Sequence, residues 1–114
     1  MRKLNTLKKN YEFKYVLSKG QYFHGKYITV YVKKNNLNKN IIGIAINTKL
    51  GKAVKRNNAK RLIRENYRLI KEDLCLGNSI VFLRNKNVNI EEADFYKIKD
   101  EMEKIFKKAE LYKK

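Results

Sequence analysis

The sequence predicts an α+β fold, a sandwich of helices and a β-sheet, and three observations carry that prediction. Two runs, Tyr27 to Lys33 and Ile41 to Asn47, are rich in β-branched and aromatic residues that alternate between two faces. A third run, Ser79 to Leu83 (SIVFL), is apolar throughout, as suits a strand buried on both sides. Around these runs, apolar residues recur at spacings of three and four, the period of a helix. The predicted order is α-β-β-α-β-α, with room for one more short strand ahead of the central helix. With 114 residues, no Pro/Ser/Gly-rich linker and no internal repeat, the chain reads as one domain over residues 1–114.

The first nine residues, MRKLNTLKK, read as a basic, extended or frayed lead. Asn10 is placed to cap a short helix, which Gly20 ends in the left-handed conformation. On that helix Phe13 and Leu17 share a face with Val16, while Tyr11 and Tyr15 form a second row. One buried stripe does not need so many aromatics. His24 falls in the polar turn QYFHGK. In the strand that follows, Ile28, Val30 and Val32 point one way and Tyr27, Thr29 and Tyr31 the other. KNNLNKN, residues 34–40, reads as a polar hairpin loop. In the next strand Ile42, Ile44 and Ile46 share a face, and Gly43 with Ala45 leaves the opposite face shallow. The sheet is thus expected to have one packed face and one lightly covered, partly tyrosine-lined face.

The central helix, KAVKRNNAKRLIRENYR from Lys52 to Arg68, is the most informative stretch. At about 100° per residue, Arg56, Asn57, Lys60, Arg61, Arg64 and Arg68 fall on one side. Ala59, Leu62, Ile63, Asn66 and Ile70 fall on the other, with Tyr67 at the border. An apolar stripe docks the helix and a cationic stripe faces out. Solvated helices mix signs, and here Glu65 is the only acid, so phosphate is the partner that this pattern suits. The helix is expected to end near Asp73 to Gly77. Arg84 to Val88 reads as a loop, Asn89 with Glu92 as a capping box, and Ile98, Met102, Ile105 and Ala109 as the buried row of a last helix.

Composition narrows the function. A net charge of +17 disfavours compactness unless a polyanion relieves it, with nucleic acid as first candidate and an anionic membrane surface as second. No apolar run approaches a membrane span and no signal peptide is visible. One cysteine, Cys75, excludes an internal disulfide framework and fits a reducing cytosol. Between Leu74 and Leu76, it is expected to be buried as a small hydrophobe. With His24 the only histidine, no His/Cys metal cluster and no orienting acid for a triad is evident. Glu91, Glu92 and Asp94 open a helix, where carboxylates complement the macrodipole. The protein by itself does not read as an enzyme. What remains is the cationic helix and an aromatic set, Phe13, Tyr31 and Tyr27. These rings either form walls of a groove for unpaired nucleotides or simply pack the first helix on the sheet.

The residues K-R-N-x-x-K-R-L-I-R, Lys55 to Arg64, resemble the signature of the bacterial ribonuclease P protein family. LKKNYEFKYVL (Leu7 to Leu17), NTKLGKAVKRN (Asn47 to Asn57) and IFKKAELYKK (Ile105 to Lys114) are similar to that family's opening segment, its lead into the helix and its closing helix and tail. The resemblance implies an α/β sandwich like the second domain of ribosomal protein S5, with a mixed four-stranded sheet, three helices and a left-handed βαβ crossover, against the usual hand. It implies that the basic helix binds the catalytic RNA subunit, with Lys52, Lys55, Arg56, Asn57, Lys60, Arg61, Arg64 and Arg68 as contacts. It also implies a cleft for the single-stranded leader of precursor tRNA, drawing on Lys8, Lys9, Phe13, Leu17, Tyr27 and Tyr31. Catalysis would come from the RNA subunit with its Mg²⁺, in a cytoplasmic ribonucleoprotein endonuclease, with no small-molecule substrate and no membrane partner. Three positions depart from the family pattern: Leu17 stands where phenylalanine is common, Asn58 where arginine is, and Lys52 where asparagine is. The rival reading is a ribosomal or other structural RNA-binding protein with no role in cleavage, which gives no reason for aromatic groups facing a groove.

Overall fold

The computed structural model describes residues 5–85 and 93–113. Three helices, α1 (Asn10–Lys19), α2 (Ala53–Ile70) and α3 (Phe95–Lys108), pack with four strands. The strands are β1 (Gln21–His24), β2 (Ile28–Lys34), β3 (Ile41–Ala45) and β4 (Asn78–Arg84), in the spatial order β1-β2-β4-β3. β4 runs antiparallel to β2 and parallel to β3, so the sheet is mixed, as expected.

β4 is an interior strand covered on both faces, and its apolar run follows from that cover: Ile80 and Phe82 are fully buried on one side and Val81 on the other. The first side, with Ile28, Val30 and Ile42, meets Ile63 and Tyr67 of α2 and Ile98, Met102 and Phe106 of α3. The opposite side carries a smaller cluster in which Leu7 and Val16 pack on Val81. The larger core holds the fold; the smaller one seats α1.

Several expectations give way to the structure. Gln21 to His24 is an edge strand and not a turn, registered so that Tyr22 stands opposite Tyr31. Its polar sequence reflects one solvent-facing side. Residues 34–40 do not make a hairpin, because β4 lies between β2 and β3 and the loop must cross over it. β3 ends at Ala45, leaving Ile46 and Asn47 outside the strand. The N-terminal lead is extended but not frayed at Asn5 to Leu7: Leu7 N–H donates to the Ile42 carbonyl and Ile42 N–H to that of Asn5, at 2.8 and 2.9 Å. Lys9, not Asn10, is the N-cap of α1, and the Glu12 carboxylate accepts its backbone N–H at 3.2 Å. Gly20 is extended (φ −80°), not left-handed. What it requires is space, since a β-carbon there would lie 2.7 Å from the Val16 carbonyl oxygen and 2.8 Å from that of Val32.

Tyr67 is buried at 3 % exposure and not at the border, because its ring packs edge-on to Phe82. Arg84 belongs to β4 and not to a loop. The capping box expected at Asn89 and Glu92 lies outside the described residues. α3 is capped by Asp94, whose carboxylate accepts the Lys97 N–H at 2.9 Å. Cys75 is exposed, because in the extended segment that follows a short 3-10 turn (Lys71–Asp73) it is Leu74 that turns into the core.

Candidate nucleic-acid interface

The charge of α2 faces outward because its apolar stripe is occupied. Ala59, Ile63, Asn66 and Tyr67 are buried, whereas Lys52, Lys55, Asn57, Arg61, Arg64 and Arg68 are exposed and Arg56 and Lys60 half-buried. From Arg56 to Arg68 the cationic stripe runs roughly 18 Å. The first turn carries no acid, and Lys52, Lys55 and Arg56 crowd the end where the helix dipole is already positive. That works against the helix and in favour of an anion, since the positive end of the dipole and the cations then meet at the same place.

Local contacts shape the stripe. The Arg56 Nε donates to the Gly51 carbonyl at 3.1 Å, which folds that side chain against the lead into the helix. Arg61 donates to the Asn58 side-chain oxygen at 2.7 Å and to Glu65 at 3.3 Å. The Arg61–Glu65 pair is exposed on both partners, so it is worth under about 1 kcal/mol and yields easily to a phosphate. Asn58 thus orients its neighbour. Lys55 and Asn58 border a small pocket of about 90 Å³ toward Arg84 and Ala93, away from Lys60 and Arg64.

Lys60 and Arg64 instead line a pocket of about 200 Å³ with Phe13, Leu7, Gly43 and Ile44. Gly43 makes it possible. A β-carbon there would lie 2.6 Å from two atoms of the Phe13 ring, so the ring rests directly on the backbone of β3. The shallow sheet face expected at Gly43 is therefore where Phe13 sits, half-buried. Leu17 and Tyr31, also half-buried, continue the same cluster around Val16 and Val81. Core packing and a partly open aromatic surface are combined in the same rings.

Tyr27 lies elsewhere. It packs against the larger core with Arg84 over its ring at 5.8 Å and Lys26 at 5.3 Å, while its backbone N–H donates to Glu101 at 2.8 Å. The alternation that would place it beside Tyr31 fails because β2 begins one residue later, at Ile28. Sequence reasoning missed Tyr22, which stacks on Tyr31 with ring centroids 5.9 Å apart. The signal was the alternation in QYFH, hidden by its polarity. Lys8 and Lys9 are exposed at the start of α1, with the Lys9 ammonium 5.7 Å from the Tyr11 ring centre.

His24 belongs to a polar network. Its Nδ1 lies 3.0 Å from the Thr29 hydroxyl, which donates to the Asn85 side-chain oxygen at 2.6 Å. Because that hydroxyl has one proton, His24 Nδ1 must be the donor in the first bond. Among the described residues no three His, Cys, Asp or Glu side chains converge to hold a metal ion, and no helix is long and apolar enough to cross a membrane.

The chain is similar to known proteins along nearly its whole length. The Ribonuclease P family model matches residues 1–110. The ribonuclease P protein component of Caldanaerobacter subterraneus subsp. tengcongensis is 41 % identical over 110 residues, covering 96 % of this chain and 93 % of that one. The component from Clostridium botulinum strain 657 is 37 % identical over 111 residues, covering 96 % and 98 %. Among solved structures, the Staphylococcus aureus RNase P protein superposes with a TM-score of 0.85 at 28 % identity, covering 97 % of this chain and 100 % of that one. The Thermotoga maritima RNase P protein gives 0.81 at 28 % identity, covering 94 % and 97 %. These relatives set aside a ribosomal or purely structural RNA-binding role. The chain belongs to the ribonuclease P protein family, as the protein subunit of a ribonucleoprotein endoribonuclease of tRNA processing whose RNA partner carries the catalysis.

Proposed function

We propose that α2 is the surface that docks on the ribonuclease P RNA, and that the pocket beside Phe13 holds the single-stranded leader of precursor tRNA. The observation that carries this reading is the meeting of Phe13 with Lys60 and Arg64 over Gly43. A ring and two cations side by side suit an unpaired base and its phosphate. The RNA contacts are Lys52, Lys55, Arg56, Asn57, Lys60, Arg61, Arg64 and Arg68. The leader contacts are Lys8, Lys9, Phe13, Leu17 and Tyr31, with Tyr22 behind Tyr31; Tyr27, on the α3 side of the sheet, is not among them.

In this reading the protein lowers the repulsion between two polyanions and adds binding that the RNA alone lacks. Phosphodiester hydrolysis takes place on the RNA subunit, with Mg²⁺ held there, in the cytoplasm.

The test replaces Phe13 and Tyr31 together by alanine in the reconstituted holoenzyme and compares precursor with mature tRNA. Affinity for precursor is expected to fall by about tenfold or more, at about 1–3 kcal/mol per stacked base, with mature tRNA unaffected. An equal loss on both would refute leader stacking.

A further inference from the structure

The second aromatic row of α1 has no place in the function just described. Tyr11 and Tyr15, four residues apart on α1, are 66 % and 54 % exposed. They do not lie on open surface. Together with Leu7, Lys33, Lys34 and the exposed Leu37 they line a trough of about 510 Å³ between α1 and the loop that follows β2. This trough is on the other side of α1 from Phe13. It sits over the ends of the strands where β2 stops and β3 and β4 begin, at Lys33, Lys34, Ile41 and Ser79.

We propose that this trough is a second stacking site for unpaired RNA, and that its occupant is the part of the precursor leader lying beyond the Phe13 pocket, farther from the cleavage site. The proposal rests on the leader reading above and extends it. Three features argue for that occupant. The chemistry suits it, because two exposed rings offer faces to bases of any sequence while Lys33 and Lys34 offer charge to the backbone. The one acid in the lining, Glu12, is already engaged by the Lys9 N–H.

Continuity is the second feature. Leu7 lines both this trough and the Phe13 pocket, so the two are separated only by the start of α1. Lys8 and Lys9 are exposed at that divide, and Lys9 also reaches over the Tyr11 ring. A strand leaving the first pocket therefore crosses cations to reach the second. Direction is the third. The Phe13 pocket is bounded by Lys60 and Arg64 of the RNA-docking helix, and the tyrosine trough by no residue of α2. Nucleotides close to the RNA subunit occupy the first, and more distal ones reach the second.

The test measures precursor affinity of the holoenzyme with leaders of about four and about twelve nucleotides, a span that brackets one and two such sites. Tyr11→Ala/Tyr15→Ala is compared with wild type, with Phe13→Ala, and with Tyr96→Ala, an exposed tyrosine on α3. The double variant is expected to lose about tenfold in affinity for the longer leader and to match wild type on the shorter one, with binding of the RNA subunit unchanged. Phe13→Ala weakens both leaders and Tyr96→Ala neither. An equal loss at both lengths, no loss at either, or a loss confined to RNA-subunit binding overturns the proposal; the last would make the occupant a loop of the RNA subunit. Phe13→Ala without effect overturns the cleft reading instead, and the two failures are told apart by which variant is silent.

Discussion

Gly43→Ala is a one-carbon probe of the Phe13 pocket. The added carbon would sit 2.6 Å from Cε1 and Cζ of Phe13 and 3.1 Å from a methyl of Leu7. Carbon atoms settle at about 3.5–4.0 Å, so the ring must retreat by about 1 Å. Phe13 is half-buried and has room on its solvent side, so the expected stability loss is at the low end of overpacking, about 1 kcal/mol. Function should suffer more. If one base stacks on that ring at about 1–3 kcal/mol, losing the platform lowers precursor affinity by between about 5-fold and about 150-fold, leaving mature tRNA untouched. Fluorescence anisotropy with labelled precursor and mature tRNA on the reconstituted holoenzyme measures this, with a thermal melt of the protein in parallel. Precursor affinity within about twofold of wild type refutes the reasoning, whatever the melt shows.

Three further predictions test other parts of the structure. Replacing Arg61 and Arg64 by alanine should weaken binding to the RNA subunit and flatten its logarithmic salt dependence by roughly one unit for each phosphate that is no longer neutralised; an unchanged salt slope would count against α2 as the docking face. Burial pushes the Tyr67 hydroxyl up to about 12, with a nearby hydrogen bond from Asn40 opposing the shift. The folded state therefore holds that proton more tightly than the unfolded chain, so the contribution is full below pH 10 and is lost as pH rises toward 12. In that window wild type should lose about 2–3 kcal/mol more than Tyr67→Phe in urea unfolding, and parallel pH profiles would show that the hydroxyl is not the cause. Asn66, 2 % exposed, ties α2 to α3 by donating to the carbonyls of Leu62 and Phe95 at 3.0 and 3.1 Å. Asn66→Ala should cost about 1–3 kcal/mol, lowering Tm by several degrees, and an unmoved Tm would mean that these bonds give no net stability beyond the cost of the buried, unpartnered Asn66 Oδ1.

What was legible in the sequence follows a physical divide. The cationic face of α2 could be read because a 3.6-residue period and an imbalance of charge sign are local properties, and they placed Arg61, Arg64 and Arg68 correctly on the exposed side. SIVFL could be read as a doubly buried strand because a central strand has no polar face to display. Strand order could not be read. The insertion of β4 between β2 and β3 is a pairing of distant segments, and the loop at residues 34–40 carries the same polar signature whether it turns back or crosses over. β1 was hidden because an edge strand with one wet side looks like a turn, and with it went the pairing of Tyr22 with Tyr31. Tyr27 lies one residue outside β2, where strand alternation no longer governs the direction of its ring. The cleft itself depends on an absent side chain at Gly43, whose meaning appears only once Phe13 is seen resting on it.

The hydrogen bonds that Asn5 and Leu7 make with Ile42 bear on solubility as well as on shape. β3 is the outermost strand on its side, and a bare outer strand is a template onto which foreign chains can pair. Here the protein occupies that template with its own leading residues, while the opposite margin, β1, is only four residues long. Neither flank offers a long ladder to a stranger, so self-assembly through the sheet edges is opposed by geometry as well as by charge.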